Sequence, residues 1–292
     1  MIRLVFLTIY ICSCLQGLAF SQTAGISRFI ENIAVNGRYF HVAATGCAVH
    51  VGVTDTSVVI LSWKGDISVS YDSSSDDSLR IICRGIGGSA DLRIPSAMDK
   101  PIVFIEYENS DIRVKDVIMG RVTISGIDGS VHMEAGAVDN LTAVVDRSQI
   151  LLDTHTASLT LNTLDSRVVV MGRTDILTLI CEGETLMTET RADTMIYDLK
   201  NVRSDIRFTD HSVRSGIIIG YLGEMYIRAP EIAVNRLHLR IGNGDYSIDE
   251  NLHATVKSRS SPFTEVLNGM DQNSPTILIV TDGTTIELEG PQ

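Results

Sequence analysis

The chain has 292 residues, 24 of them basic and 36 acidic, for a net charge of −12, and 44% are hydrophobic. That is enough apolar material for a sizeable core, while the acidic balance excludes the basic footprint that nucleic acid or an anionic membrane requires. Five cysteines, two of them near the start, exclude the disulfide framework of small secreted domains.

Arg3, the apolar run at 4–12 and the small residues Gly17, Ala19 and Ser21 read as a secretory signal peptide over 1–21, cleaved after Ala19 or Ser21. The other reading is a lipid-modified start at Cys14. The run is shorter than the roughly 20 apolar residues of a membrane span, and no later segment comes closer. An exported chain is expected, secreted, periplasmic or at the cell surface. Losing 1–21 removes Arg3 alone and leaves 23 basic residues against 36 acidic, a net −13.

From 22 to 100 the pattern is one of strands near 33–35, 39–43, 47–53, 58–63, 67–71 and 79–83. Asn36 and Gly37, Thr45 and Gly46, Lys64 to Asp66 and the acidic stretch from Asp72 to Asp77 separate them as hairpin turns would. This portion is expected to form an antiparallel β cap. Cys47 is in phase with Val49 and Val51, and Cys83 with Leu79 and Ile81. They are placed either as two buried hydrophobes or as a cross-strand disulfide. Cys181, in phase with Leu177 and Leu179, is expected in the core.

Between 101 and 250 a phrase recurs. Segments starting at Ser110, Gly129, Ser148, Ser166, Glu184 and Ser204 lie 19, 19, 18, 18 and 20 residues apart. Two residues into each stand Ile112, Val131, Ile150, Val168, Leu186 and Ile206; four residues in stand Val114, Met133, Leu152, Val170, Thr188 and Phe208. Alternation of this kind marks strands. A second strand follows in each copy, around Val122, Leu141, Leu159 and Leu177, and more loosely at Ile196 and Ile217. The fold class expected is all-β, a single-stranded β-helix or β-solenoid with repeats of about 18–20 residues, because no one repeat buries its own apolar face. Segments near 237–241, 246–248, 277–280 and 285–288 are expected to close it, with Asp282 and Gly283 as a hairpin turn. A long loop is expected from Ser258 to Pro275, within a C-terminal portion of 251–292.

The entry phrase at 29–37, the Leu-Arg-Ile phrases at 79–81 and 92–94 and the recurring Gly/Ser-Asp-Ile phrases resemble bacterial exported β-strand-repeat families of unknown function. Among these is the adhesin-like head domain named GIN. The repeats depart from the usual Ser-Gly-Asp-Ile phrase, keeping glycine before the strand at Gly129 alone. The resemblance implies a β-helix or β-roll at the cell envelope without assigned catalytic residues.

Two columns are candidate sites. Seven residues into four successive repeats stand His155, Arg173, Arg191 and His211, a basic ladder with steps of about 4.8 Å that suits an acidic glycan unless Asp153, Glu189 and Asp210 neutralise it. Three residues in, Leu151, Val169 and Met187 follow Arg113 and His132 and precede Arg207. They make an outward apolar stripe that serves as a partner contact, self-association included, unless other parts of the chain cover it. The loop from Asp72 to Asp77 has oxygen ligands for calcium but lacks the spacing and turn glycine of a known site. Asn140, Leu141 and Thr142 match a glycosylation acceptor. No His or Cys spacing points to a metal, no cofactor is implied and no catalytic residue is identified. The expectation is a non-catalytic binding or structural module for protein or glycan at the envelope. The alternative is a carbohydrate-active β-helix enzyme, which needs two carboxylates about 5–9 Å apart in a cleft.

Overall fold

The computed structural model describes residues 28–35, 37–73, 78–208, 215–228, 237–250, 255–260, 263–267 and 277–290. The signal peptide expected at 1–21 and most of the acidic stretch before Asp77 lie outside them. The described residues form strands and turns with no α-helix. They divide into two compact units, 1–123 and 124–292.

The first unit holds β1 (Arg28–Ile33), β2 (Tyr39–Thr45), β3 (Ala48–Thr54), β4 (Val59–Lys64), β5 (Ile67–Asp72), β6 (Ser78–Gly85), β7 (Ser89–Pro95), β8 (Ile102–Glu108) and most of β9 (Asp111–Ile127). β2 lies between β6 and β8 and runs parallel to both, while β3 runs parallel to β7 and β9. The antiparallel hairpins expected for 22–100 are therefore only partly present. β4 runs antiparallel to β1 and β7, and β5 to β6, but β2 and β3 do not pair with one another. Gly46 is the reason. At φ 70° it bends the chain from β2 into β3 without reversing it, and a Cβ there would sit 2.5 Å from the Gly85 carbonyl oxygen. Alternation then buries Phe40, Val42 and Ala44 against Leu79, Ile81 and Cys83 on one side and Val103, Ile105 and Tyr107 on the other. Phe29 stacks on Trp63, its register partner, with ring centroids 5.3 Å apart.

The second unit contains the end of β9 and then β10 (Ser130–Asp146), β11 (Gln149–Leu164), β12 (Arg167–Glu182), β13 (Thr185–Lys200), β14 (Arg203–Arg207), β15 (Ser215–Arg228), β16 (Leu237–Gly242), β17 (Tyr246–Ile248), β18 (Thr255–Ser260), β19 (Phe263–Leu267) and β20 (Ile277–Glu289). β10, β11, β12 and β13 pair in parallel, each with the next, over nearly their whole length. Interior columns run Val131, Ile150, Val168, Leu186 and Leu141, Leu159, Leu177, Met195. Where Thr188 is the small member of its column, Tyr197 fills the space and its hydroxyl approaches Thr188 Oγ1 at 3.4 Å. Gly172, at φ 95°, bends β12 where a Cβ would meet the Thr154 carbonyl oxygen at 2.4 Å.

One corner column sets the register of this unit. Asp128, Arg147, Asp165, Gly183, Asn201, Leu222, Gly283 and Asn243 all have φ between 43° and 75°. The left-handed conformation is tolerable for Asn and Asp and free of strain for Gly. Just past two of these corners, Arg147 and Asp165, a buried serine closes the turn. Ser148 Oγ donates to the Asp146 carbonyl at 2.8 Å and accepts from the Gly129 amide; Ser166 Oγ donates to the Leu164 carbonyl and accepts from the Ser148 amide at 3.1 Å. Backbone groups that would otherwise be buried without partners at a bend are thereby satisfied.

Three sequence expectations change here. The phrase at Ser204 is out of register by two, because Asn201 follows Gly183 by one 18-residue step, so that Ile206 pairs with Thr188 and Asp205 with Met187. Asp282 and Gly283 do not form a hairpin turn: Gly283 is a corner inside β20, which runs parallel to β15 on one side and to β16 and β17 on the other. Within the expected loop from Ser258 to Pro275, β18 and β19 form an antiparallel pair, and β19 also pairs antiparallel with β16.

Candidate functional site

The sequence-derived stripe is a true column: His132, Leu151, Val169, Met187 and Asp205 are successive register partners. Leu151, Val169 and Met187 are half-buried, however, and Arg207 belongs to the neighbouring column, where it pairs with Glu189 in register and at 3.8 Å across an ion pair.

The basic ladder is in register for His155, Arg173 and Arg191, all exposed. His211 lies outside the described residues. Acidic residues flank the three. Asp153 and Glu189 stand two positions before His155 and Arg191, and Asp175 and Asp193 two after Arg173 and Arg191.

A larger apolar surface lies on the outward face of the other half of each repeat. Ile196 on β13, Ile217 on β15 and Leu278 on β20 form one column; in the next, Ile219 and Val280 are neighbours and Asp198 on β13 separates them from Ile180 on β12; Ile176 and Tyr221 stand in the columns to either side, beside Thr194 and Lys200. Six of these, Ile176, Ile180, Ile196, Ile217, Ile219 and Tyr221, are 43–47% exposed. Ile196 and Ile217, the loose markers of the second strand in the sequence, do lie on β13 and β15. The register turns Met195 and Tyr197 inward and leaves both isoleucines on the outside. The signal was present in the sequence: 216–221 and 176–181 are apolar at odd and even positions alike, which alternation with one wet face does not produce.

Inside the second unit a glutamate occupies the serine column. Glu184 is 7% exposed. Its Oε1 accepts from Thr163 Oγ1 at 2.5 Å and from the Glu182 amide at 3.1 Å, while Oε2 is buried without a partner. Burial pushes its carboxyl up to about 7, against the pull of those two donors and with a further push from Asp165. Cys181, the register partner of Thr163, is pushed up to about 12, chiefly by burial. Thr163, Cys181 and Glu184 are all buried.

In the first unit, Val53, Ile94, Pro95, Met98, Pro101 and Met119 line an apolar cleft that has Asp116 as its carboxylate. One carboxylate does not supply the acid and base of glycoside hydrolysis. Among the described residues, no group of three or more His, Cys, Asp or Glu side chains could hold a metal ion, and no helix is long and apolar enough to cross a membrane.

No family model matches the chain, and no curated protein does. Among solved structures, a provisionally named adhesin from Bacteroides fragilis aligns over 91% of this chain and 97% of its own, at 12% identity and a TM-score of 0.43. A provisionally named cell adhesion protein from Clostridium sporogenes aligns over 91% of this chain and 100% of its own, at 7% identity and a TM-score of 0.24.

Proposed function

We propose that the protein is an exported, non-catalytic, adhesin-like binding module of the cell envelope, built as a β-solenoid that uses one sheet face to hold a protein partner. The observation that carries this reading is the outward apolar face centred on Ile196, Ile217 and Ile219. Single exposed aliphatics are ordinary, whereas a contiguous group on adjacent strands marks a contact surface. Parallel strands about 4.8 Å apart present it as a flat array, which suits a sheet or strand of a partner better than a small molecule. The in-register ladder of His155, Arg173 and Arg191 favours a second reading, in which an acidic glycan lies across the stacked strands.

The test is a binding screen of the chain without 1–21 against arrayed envelope proteins and glycans, with sedimentation velocity for self-association. Ile196→Lys with Ile217→Lys should abolish protein binding and leave the circular dichroism spectrum unchanged. Protein binding that survives this double variant would remove the apolar face as the site. Binding restricted to acidic glycans, and lost in Arg173→Ala, would establish the second reading in its place.

A further inference from the structure

Cys47 and Cys83 stand 36 positions apart in the chain, and the fold brings them together. β2 and β6 run parallel with Ala44 opposite Cys83, so the smallest side chain of β2 leaves open the space beside that thiol. The chain then bends at Gly46, which lies directly against the Gly85 carbonyl. With the two corners in contact, Cys47 turns inward just past its bend and over Cys83. The Cys83 thiol holds that of Cys47 below its usual range, while Cys47 and then burial push the Cys83 thiol up. Both are enclosed, Cys47 at 4% and Cys83 at 0% exposure, and the Cys47 amide is anchored by Ser110 Oγ at 3.4 Å. Both are free thiols in this structure, and Cys181 belongs to the second unit.

We propose that Cys47 and Cys83 are a disulfide-forming pair that staples the corner between β2 and β3 to β6. An isolated buried cysteine is held as a small hydrophobe, but two thiols that share one buried corner need only lose their protons and two electrons to form a bond. The co-reactant is a disulfide oxidant. A thiolate at one of the pair attacks it, one oxidant thiol leaves, and the second cysteine displaces the other, so that one S–S bond forms here as one breaks there. A closed interior does not admit such an oxidant, so the exchange takes place while β6 is docking on β2. The crosslink then closes a loop of 36 positions, long enough to restrict the unfolded chain substantially.

The experiment is refolding of the full chain in a buffer of oxidised and reduced glutathione, followed by denaturation in iodoacetamide, tryptic digestion and mass spectrometry without reductant. The expected product joins the peptides 39–64 and 81–84 with the loss of two hydrogens, while Cys181 carries the alkyl group. Its Tm should exceed that of the reduced protein by on the order of 5–15 °C. Cys83→Ala should abolish the difference and Cys181→Ala should preserve it. Alkyl groups on both Cys47 and Cys83 after oxidative refolding, or a crosslink from either of them to Cys181, would overturn the proposal.

Discussion

Val42 and Val168 are buried alike, at 0% and 1% exposure, yet they reach that state by different routes. Val168 lies between Ile150 and Leu186, each 18 residues away, because from β10 to β13 the neighbour in space is also the next in sequence. Val42 lies between Ile81 and Ile105, 39 and 63 residues on, because β2 is laid down first and is later flanked by β6 and β8. A sequence repeat is thus a record of stacking order and not a requirement for a buried parallel core. The two regions differ also in how far the chain must search before a contact forms, and the first unit carries the greater loop-closure cost.

Deleting one repeat from each region should separate the two most strongly. Removing 149–166 rejoins Ser148 to Arg167 and leaves corner, serine and columns in place, so a cooperative thermal transition should survive at a lower Tm. Removing 78–95 takes a flanking partner from both β2 and β3 and should abolish folding of the first unit. Trp63, the single tryptophan, reports the loss through its fluorescence. Survival of both deletions, or of neither, would mean that stacking order does not govern tolerance.

A smaller step is a charge in one column. Val168→Asp buries an unpaired carboxylate between Ile150 and Leu186 and should cost about 4 kcal/mol or more, while the same change at the exposed Arg167 should stay within about 0.5 kcal/mol. Equal shifts in thermal denaturation would refute the register of β11 to β13.

Glu184 tests the same stack by pH. Its folded pKa of about 7 lies above the ordinary 4.5, so the folded protein keeps a proton that the unfolded chain releases. Stability from this group is therefore complete below about pH 4.5, is lost as the pH rises through 7, and changes no further above that, a difference of roughly 3 kcal/mol. Glu184→Gln should match the wild type near pH 4 and exceed it by roughly 2–3 kcal/mol at pH 8 in denaturant titrations. Parallel stability curves across that range would show that the carboxyl is not held protonated.

The strand positions of β10 to β13 and the inward columns through Ile150 and Leu152 were legible because alternation and an 18-residue step are local properties of the sequence. The basic ladder was legible as far as Arg191 for the same reason. Beyond it, the Ser-Asp-Ile phrase at 204–206 misled, since the left-handed corner at Asn201 fixes the register and the phrase does not. Gly46 and Gly283 look like hairpin turns in the sequence, since the same positive φ serves a reversal and a bend. Only the partners of the flanking strands tell the two apart. The placement of β2 between β6 and β8, and of β20 between β15 and β16, leaves no trace in any window of the chain. Glu184 was visible as the start of a repeat, but its burial followed only from the serine column that it interrupts.

The antiparallel pair of β18 and β19 gives the last described layers of the second unit a different ending. Parallel strands of matched length, stacked in register, offer a ready template for another chain of the same kind, which is the geometry that cross-β fibrils extend without limit. Here β19 meets β16 running the opposite way, and β18 beyond it is short and interrupted by a bulge at Lys257. An incoming parallel repeat finds neither the direction nor the spacing of hydrogen-bonding groups that it would need. The pair therefore turns that edge of β16 away from a further parallel strand.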